Sequence, residues 1–131
     1  GSPTWSQDVD LAAQDPLKGY KNLMYVLHFY AGTHGEYLRQ KAQAALDAGL
    51  PLFVSEFGIS EASGNGALNQ EEGDRWMEFL KANKISYIGW NLSNKSESSA
   101  LIKPSCSKTS NWKSSDLTPW GEWLLKQLKR K

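Results

Sequence analysis

Apolar and polar positions follow two alternating periods along these 131 residues. The run "NLMYVLHFYA", starting at residue 22, is apolar and β-rich throughout, the pattern of a strand buried on both faces. In "THGEYLRQKAQAALDAGLP" the period changes: Leu38, Ala42, Ala45 and Leu46 recur at helical spacing, Thr33 and Glu36 have the spacing of a capping box, and Gly49 and Pro51 end the segment. "PLFVSEF" is a second strand, followed by the glycine-rich loop "SEASGNGA". A second helix is predicted over "NQEEGDRWMEFLKANK". There Asn69 caps, Glu71 and Glu72 favour the first turn, Trp76, Phe79 and Leu80 form the buried stripe, and Lys81 and Lys84 sit at the far end. "ISYIGWNLS" is a third strand. A polar loop over residues 94–115 then leads to "LTPWGEWLLKQLKRK", a helix with Thr118 and Pro119 as cap and first residue and an apolar face of Trp120, Leu124 and Leu128. The order β-α-β-α-β-α predicts an α/β fold of parallel strands joined by right-handed crossovers.

Alternate residues of a strand share a face. Parity therefore groups His28 with Tyr30, groups Leu52, Val54 and Glu56, and groups Ser86, Ile88 and Trp90. His28, Tyr30, Glu56 and Trp90 all fall at C-terminal strand ends, the edge where α/β sheets and barrels bind ligands. A charge ending an otherwise apolar run costs several kcal/mol if it is buried without partners. Parity alone leaves Glu56 open between a structural ion pair and a functional carboxylate, and leaves His28 open between a satisfied buried histidine and a site residue.

Composition narrows the partners. An apolar fraction of 40% and a charged fraction of 22% are ordinary for a folded soluble domain, and the length suits one domain. With a formal charge of +1 and no long block of one sign outside "KQLKRK", no nucleic-acid partner is expected, and that basic end reads as a solvated helix terminus. No apolar run approaches the roughly 18–20 residues that cross a bilayer, so no membrane association is expected. Gly1-Ser2 reads as the remnant of a cloning junction, leaving 3–131 as the domain, and the lack of a signal peptide therefore carries no weight. The single cysteine, Cys106, allows no intrachain disulfide and reads as a passive thiol. His34, at the start of a helix, reads as solvated. Of the six tryptophans, Trp76, Trp120 and Trp123 lie on helical faces and are expected in the core, while Trp112 is open. The histidines and carboxylates show no metal-ligand spacing, and "SEASGNG" has neither the acidic spacing of a calcium loop nor the lysine of a phosphate loop; no metal or cofactor is expected.

The stretches "WSQDVDLAA", "YVLHFYAGTHGEYLR", "PLFVSEFGISEASGNG" and "IGWNLSNKSESSALIKP" closely resemble the C-terminal half of bacterial endoglucanases of glycoside hydrolase family 5, the secreted cellulases. The resemblance implies the C-terminal half of a (β/α)8 TIM barrel, about strands 6–8 with their helices. It also implies a secreted enzyme without cofactor that hydrolyses β-1,4-glucan with retention. On this resemblance Glu56 is the nucleophile at the end of the seventh strand. His28 and Tyr30 match the pair ending the sixth, with Tyr30 hydrogen-bonded to the nucleophile. Trp90 matches a sugar-stacking residue on the eighth strand, Lys95 and Glu97 match polar contacts in the loop after it, and Trp5 matches a stacking residue after the fifth.

One element of the family's pattern is missing. The acid/base glutamate follows an asparagine at the end of the fourth strand, and no Asn-Glu pair occurs in these residues. Glu97 is a poor substitute, because nothing in its polar loop raises its pKa. A barrel takes about 250 residues, so the sequence corresponds to roughly the second half, from a nicked, split or truncated enzyme. The expectation is an N-terminal half-barrel chain that carries the acid/base glutamate, or self-association, and weak activity alone. The alternative is a non-catalytic half-barrel that self-associates or only binds glucan through Trp5 and Trp90.

Overall fold

The structure, a computed structural model, describes residues 1–129, so Arg130 and Lys131 of the predicted basic end lie outside the described residues. The elements run α1 (Pro3–Ser6), α2 (Val9–Gln14), β1 (Tyr25–Tyr30), α3 (Glu36–Asp47), β2 (Leu52–Gly58), α4 (Gln70–Ala82), β3 (Tyr87–Gly89), a 3-10 turn (Ser114–Asp116) and α5 (Pro119–Lys129). The predicted alternation is present, with α1 and α2 added before it. The strands form one parallel sheet in the order β1-β2-β3. Among the described residues no helix is long and apolar enough to cross a membrane.

Leu27 and Phe29 of β1 and Leu52, Val54 and Phe57 of β2 form one buried face, packed with Leu38, Ala42 and Ala45 of α3, Trp76 and Leu80 of α4, and Trp120 and Leu124 of α5. Its centre is aromatic. Phe29 stacks on Trp76 at 3.9 Å between ring centroids, and Phe57 meets Trp120 edge to face at 5.4 Å. Each such pair contributes about 1 kcal/mol beyond the area it buries. Trp76, Trp120 and Trp123 are core residues, as expected, and Cys106 is buried. Arg39 of α3 pairs with Glu72 of α4 and lies 5.3 Å over the Trp76 ring, tying the two helices together outside the sheet.

Strict alternation fails in β2. The register pairs Val26 with Phe53 but His28 with Glu56, so Val54 and Ser55 lie opposite the single residue Leu27. The pairing with β3 slips in the same place, between Val54 and Phe57. This is a β-bulge, and it turns the strand by one residue. Leu52 and Val54 therefore face the helices, whereas Glu56 faces the other way, contrary to the shared face that parity predicts. Ser55 and Glu56 are neighbours in the chain, yet both reach residues on the same face of β1: Ser55 Oγ lies 2.8 Å from His28 Nε2, and Glu56 Oε1 accepts from the Tyr30 hydroxyl.

Three smaller expectations change. Thr33 and Glu36 make no capping box: the N-cap of α3 is Gly35, and the Thr33 hydroxyl instead accepts from the Ala62 N–H at 2.9 Å. Leu128 is exposed; the buried face of α5 is Trp120, Trp123, Leu124 and Gln127, because the helix is met by α4 on that side, where the Gln127 amide donates to Asp74. His34 is buried rather than solvated, held inside by hydrogen bonds described below. The caps at Asn69, which accepts from the Glu72 N–H, and at Thr118, which accepts from the Gly121 N–H, are as predicted.

Candidate active site

The site is built where β1 and β2 end. Tyr30, the last residue of β1, donates its hydroxyl to Glu56 Oε1 at 2.7 Å. His28, two residues earlier on the same face, places Nδ1 3.9 Å from Glu56 Oε2, and the Glu56 and His28 side chains are 27% and 26% exposed. Burial, then the hydrogen bond to Glu56, and finally the charges of Glu56 and Glu97, push the Tyr30 phenol well above the ordinary tyrosine range. It therefore stays protonated, a permanent donor to the carboxylate. Gly58, paired with Tyr30 across the sheet, makes room for it: a Cβ there would lie 2.9 Å from two Tyr30 ring carbons.

These side chains line a cavity of about 770 Å³ together with Thr4, Trp5, Ser6, Gln7, His34, Ala62 and Ser63. Trp5 reaches it from α1 and is 83% exposed, on a segment where Thr4, Trp5 and Ser6 all have left-handed φ of 50–63°. Such geometry costs roughly 1–2 kcal/mol per residue. It is held by Ser6 N–H donating to Ser2 O at 3.1 Å and by the Thr4 hydroxyl donating to Asp8 at 2.6 Å. The Lys41 ammonium and that hydroxyl keep the Asp8 carboxyl below its usual range, so the anchor is charged.

The other predicted residues are not among those that line this cavity. Trp90, just beyond β3, is 44% exposed, and its carbonyl accepts from Trp120 Nε1. Lys95 is exposed in the loop that follows. Glu97 accepts from the Asn91 amide and the Ser99 hydroxyl, both at 3.2 Å, which points its Oε1 into its own loop. Trp112 donates to Lys108 O and is partly exposed. Among the described residues no group of three or more histidines, cysteines and carboxylates is placed to hold a metal ion. Sequence reasoning missed Ser55, His34 and the residues around Trp5 as site members. Ser55 was hidden by the assumption of unbroken alternation, and His34 by its place in a turn that looks solvent-facing from sequence.

A carboxylate, a phenol and an imidazole converge at the C-terminal strand ends of a parallel β/α sheet, the edge where β/α barrels place their active sites. The profile of the cellulase family (glycosyl hydrolase family 5) matches residues 1–96, and the chain belongs to that family. An endoglucanase of Clostridium saccharobutylicum is 47% identical over 98% of this chain and 28% of its own length. The solved structure of cellulase Cel5C_n superposes with a TM-score of 0.93 and 50% identity, over 100% of this chain and 40% of that one. A catalytic-domain variant of Thermobifida fusca endoglucanase Cel5A (E5), solved with cellotetraose, superposes at 0.83 with 29% identity, over 90% of this chain and 38% of that one. The fold is therefore part of an α/β barrel, and this chain spans well under half of each of these relatives.

Proposed function

We propose that this chain supplies the nucleophile half of a retaining endo-β-1,4-glucanase. The observation that carries the reading is the 2.7 Å hydrogen bond from Tyr30 to Glu56 inside a cavity flanked by Trp5. Retaining hydrolysis uses two carboxyl groups about 5–5.5 Å apart, one attacking the anomeric carbon and one protonating the leaving oxygen. In the first step Glu56 forms the glycosyl–carboxylate bond as the glycosidic C–O bond breaks, and the acid gives its proton to the departing hydroxyl. In the second, the former acid deprotonates a water that releases the sugar and frees Glu56. Tyr30 holds the carboxylate in place for attack on the sugar, with the His28 ring 3.9 Å from its other oxygen, and the indole face of Trp5 suits the apolar C–H face of a glucose ring.

The acid comes from outside these residues: Glu97 is occupied in its own loop, and among the described residues no other carboxylate lines the cavity with Glu56. A preceding half-barrel segment bearing an Asn-Glu pair is the natural source. A polymeric glucan substrate suits an enzyme that works outside the cell. A second reading, a glucan-binding or self-associating half-barrel without hydrolysis, is favoured by the exposure of Trp5 and Trp90.

Mixing this chain with a polypeptide carrying the first half of the barrel decides between them. Reducing sugar should appear from carboxymethylcellulose, and Glu56→Gln should lower the rate by about a thousandfold or more. An assembled barrel that leaves the polymer uncut, or a Glu56→Gln variant as active as the parent, would refute the catalytic reading.

A further inference from the structure

We propose that His34 is a positioning residue for the Glu56 site: its ring fixes the backbone of Tyr30 and so sets the phenol on the carboxylate. The inference rests on the reading of Glu56 as the reacting group and adds a residue that acts on it through Tyr30.

The local hydrogen bonding leads to this role. At the end of β1 the Ala31 N–H crosses to Gly58 O of β2 at 2.9 Å. Successive N–H groups of a strand point to opposite sides. The Tyr30 N–H is therefore aimed at the other edge of β1, where no strand among the described residues pairs with it. A buried N–H without an acceptor is costly. His34 Nδ1 accepts it at 2.8 Å. The Tyr30 carbonyl is held by the same turn, accepting from Thr33 N–H at 2.9 Å and His34 N–H at 2.7 Å. Both backbone groups of the residue that carries the phenol thus end on the turn that contains His34.

The turn that carries the ring is itself located from outside the sheet. The His34 carbonyl accepts from Trp76 Nε1 at 2.8 Å, and Trp76 is fully buried and stacked on Phe29. Since Nδ1 accepts, the ring proton sits on Nε2. Burial favours the neutral ring, which keeps the acceptor available. With the backbone pinned and Gly58 beneath the ring, Tyr30 has a narrow choice of directions, and the one taken ends at Glu56 Oε1.

The test uses the isosterism of amides with imidazole. Asn places its oxygen near the position of Nδ1, whereas Gln places its terminal atoms near Nε2. Exchange of the Tyr30 amide and hydroxyl protons with water is read by NMR in the 131-residue chain. In His34→Ala and His34→Gln both protons should exchange about tenfold faster or more, the factor a lost buried hydrogen bond is worth. In His34→Asn both should stay within about threefold of the parent. A hydroxyl proton unchanged in the Ala and Gln variants would overturn the proposal, as would an Asn variant that behaves like Gln. Should the Ala variant not fold, the equally polar Asn and Gln variants decide alone. No glucan is involved, so failure of the glucanase reading and failure of this one are seen in different experiments.

Discussion

At the scale of single residues, what distinguishes this site is the company each group keeps. Tyr30 remains a donor because burial and a neighbouring carboxylate both oppose its ionisation. His34 is neutral for the related reason that its ring is desolvated, and its pKa is lowered from the ordinary 6.5. The sign of the resulting pH dependence follows from linkage. Below the ordinary value the unfolded chain takes up a proton that the folded chain refuses, so the stabilisation is whole above that value and drains away as pH falls through the lowered native one. Thermal unfolding from pH 7 down to 5 should therefore show a steeper loss of Tm in the parent than in His34→Asn, which cannot titrate. Parallel curves would mean that the native ring takes up its proton as readily as the unfolded chain does. The residue types of the site were legible from sequence, since Glu56, His28 and Tyr30 fall at strand ends whichever way each strand is turned. The burial of His34 was not, because nothing local marks a turn histidine as an acceptor for a strand-end N–H.

At the scale of elements, the bulge in β2 decides the site. With unbroken alternation, Glu56 would share the helix-facing side of Leu52 and Val54; the extra residue at Ser55 turns it toward Tyr30 and His28. Close approach is the other device. The first turn of α5 lies against the chain at Leu101, where a Cβ on Gly121 would collide with the Leu101 carbonyl oxygen. The same turn is stitched down by the Thr118 hydroxyl donating to Ala100 O at 2.6 Å and by Thr118 N–H donating to Leu101 O at 3.0 Å. A backbone carbonyl so held cannot yield easily. Gly121→Ala should therefore lower stability by about 1–3 kcal/mol, although alanine favours a helix, as overpacking of a tight contact does. Urea denaturation should show the midpoint falling with little change in slope; an unchanged or higher midpoint would show that Leu101 moves aside.

At the scale of the whole molecule, the helix-facing side of the sheet is closed and the opposite side is open. Ile88 and Trp90, on the open side of the β3 segment, are exposed, and so are Met24 before β1 and Leu92 after Trp90. Apolar surface of this kind on a parallel sheet, with two strand edges free of partners among the described residues, calls for cover. Alone, the chain should self-associate in light scattering at micromolar concentration, and the first-half polypeptide should convert it to a stoichiometric complex. A stable monomer that ignores that polypeptide would argue against any shared barrel.

The sequence by itself determined the order of strands and helices, the parallel α/β class, two of the helix caps and the residue types gathered at the strand ends. Each of these follows from side-chain period and local backbone stereochemistry, which act over a few neighbouring residues. Only the tertiary structure decided which way Glu56 faces, where His34 lies and what Thr33 bonds to. A bulge exists only relative to the strands on either side, and a buried polar ring is satisfied only by the particular donors that packing brings to it.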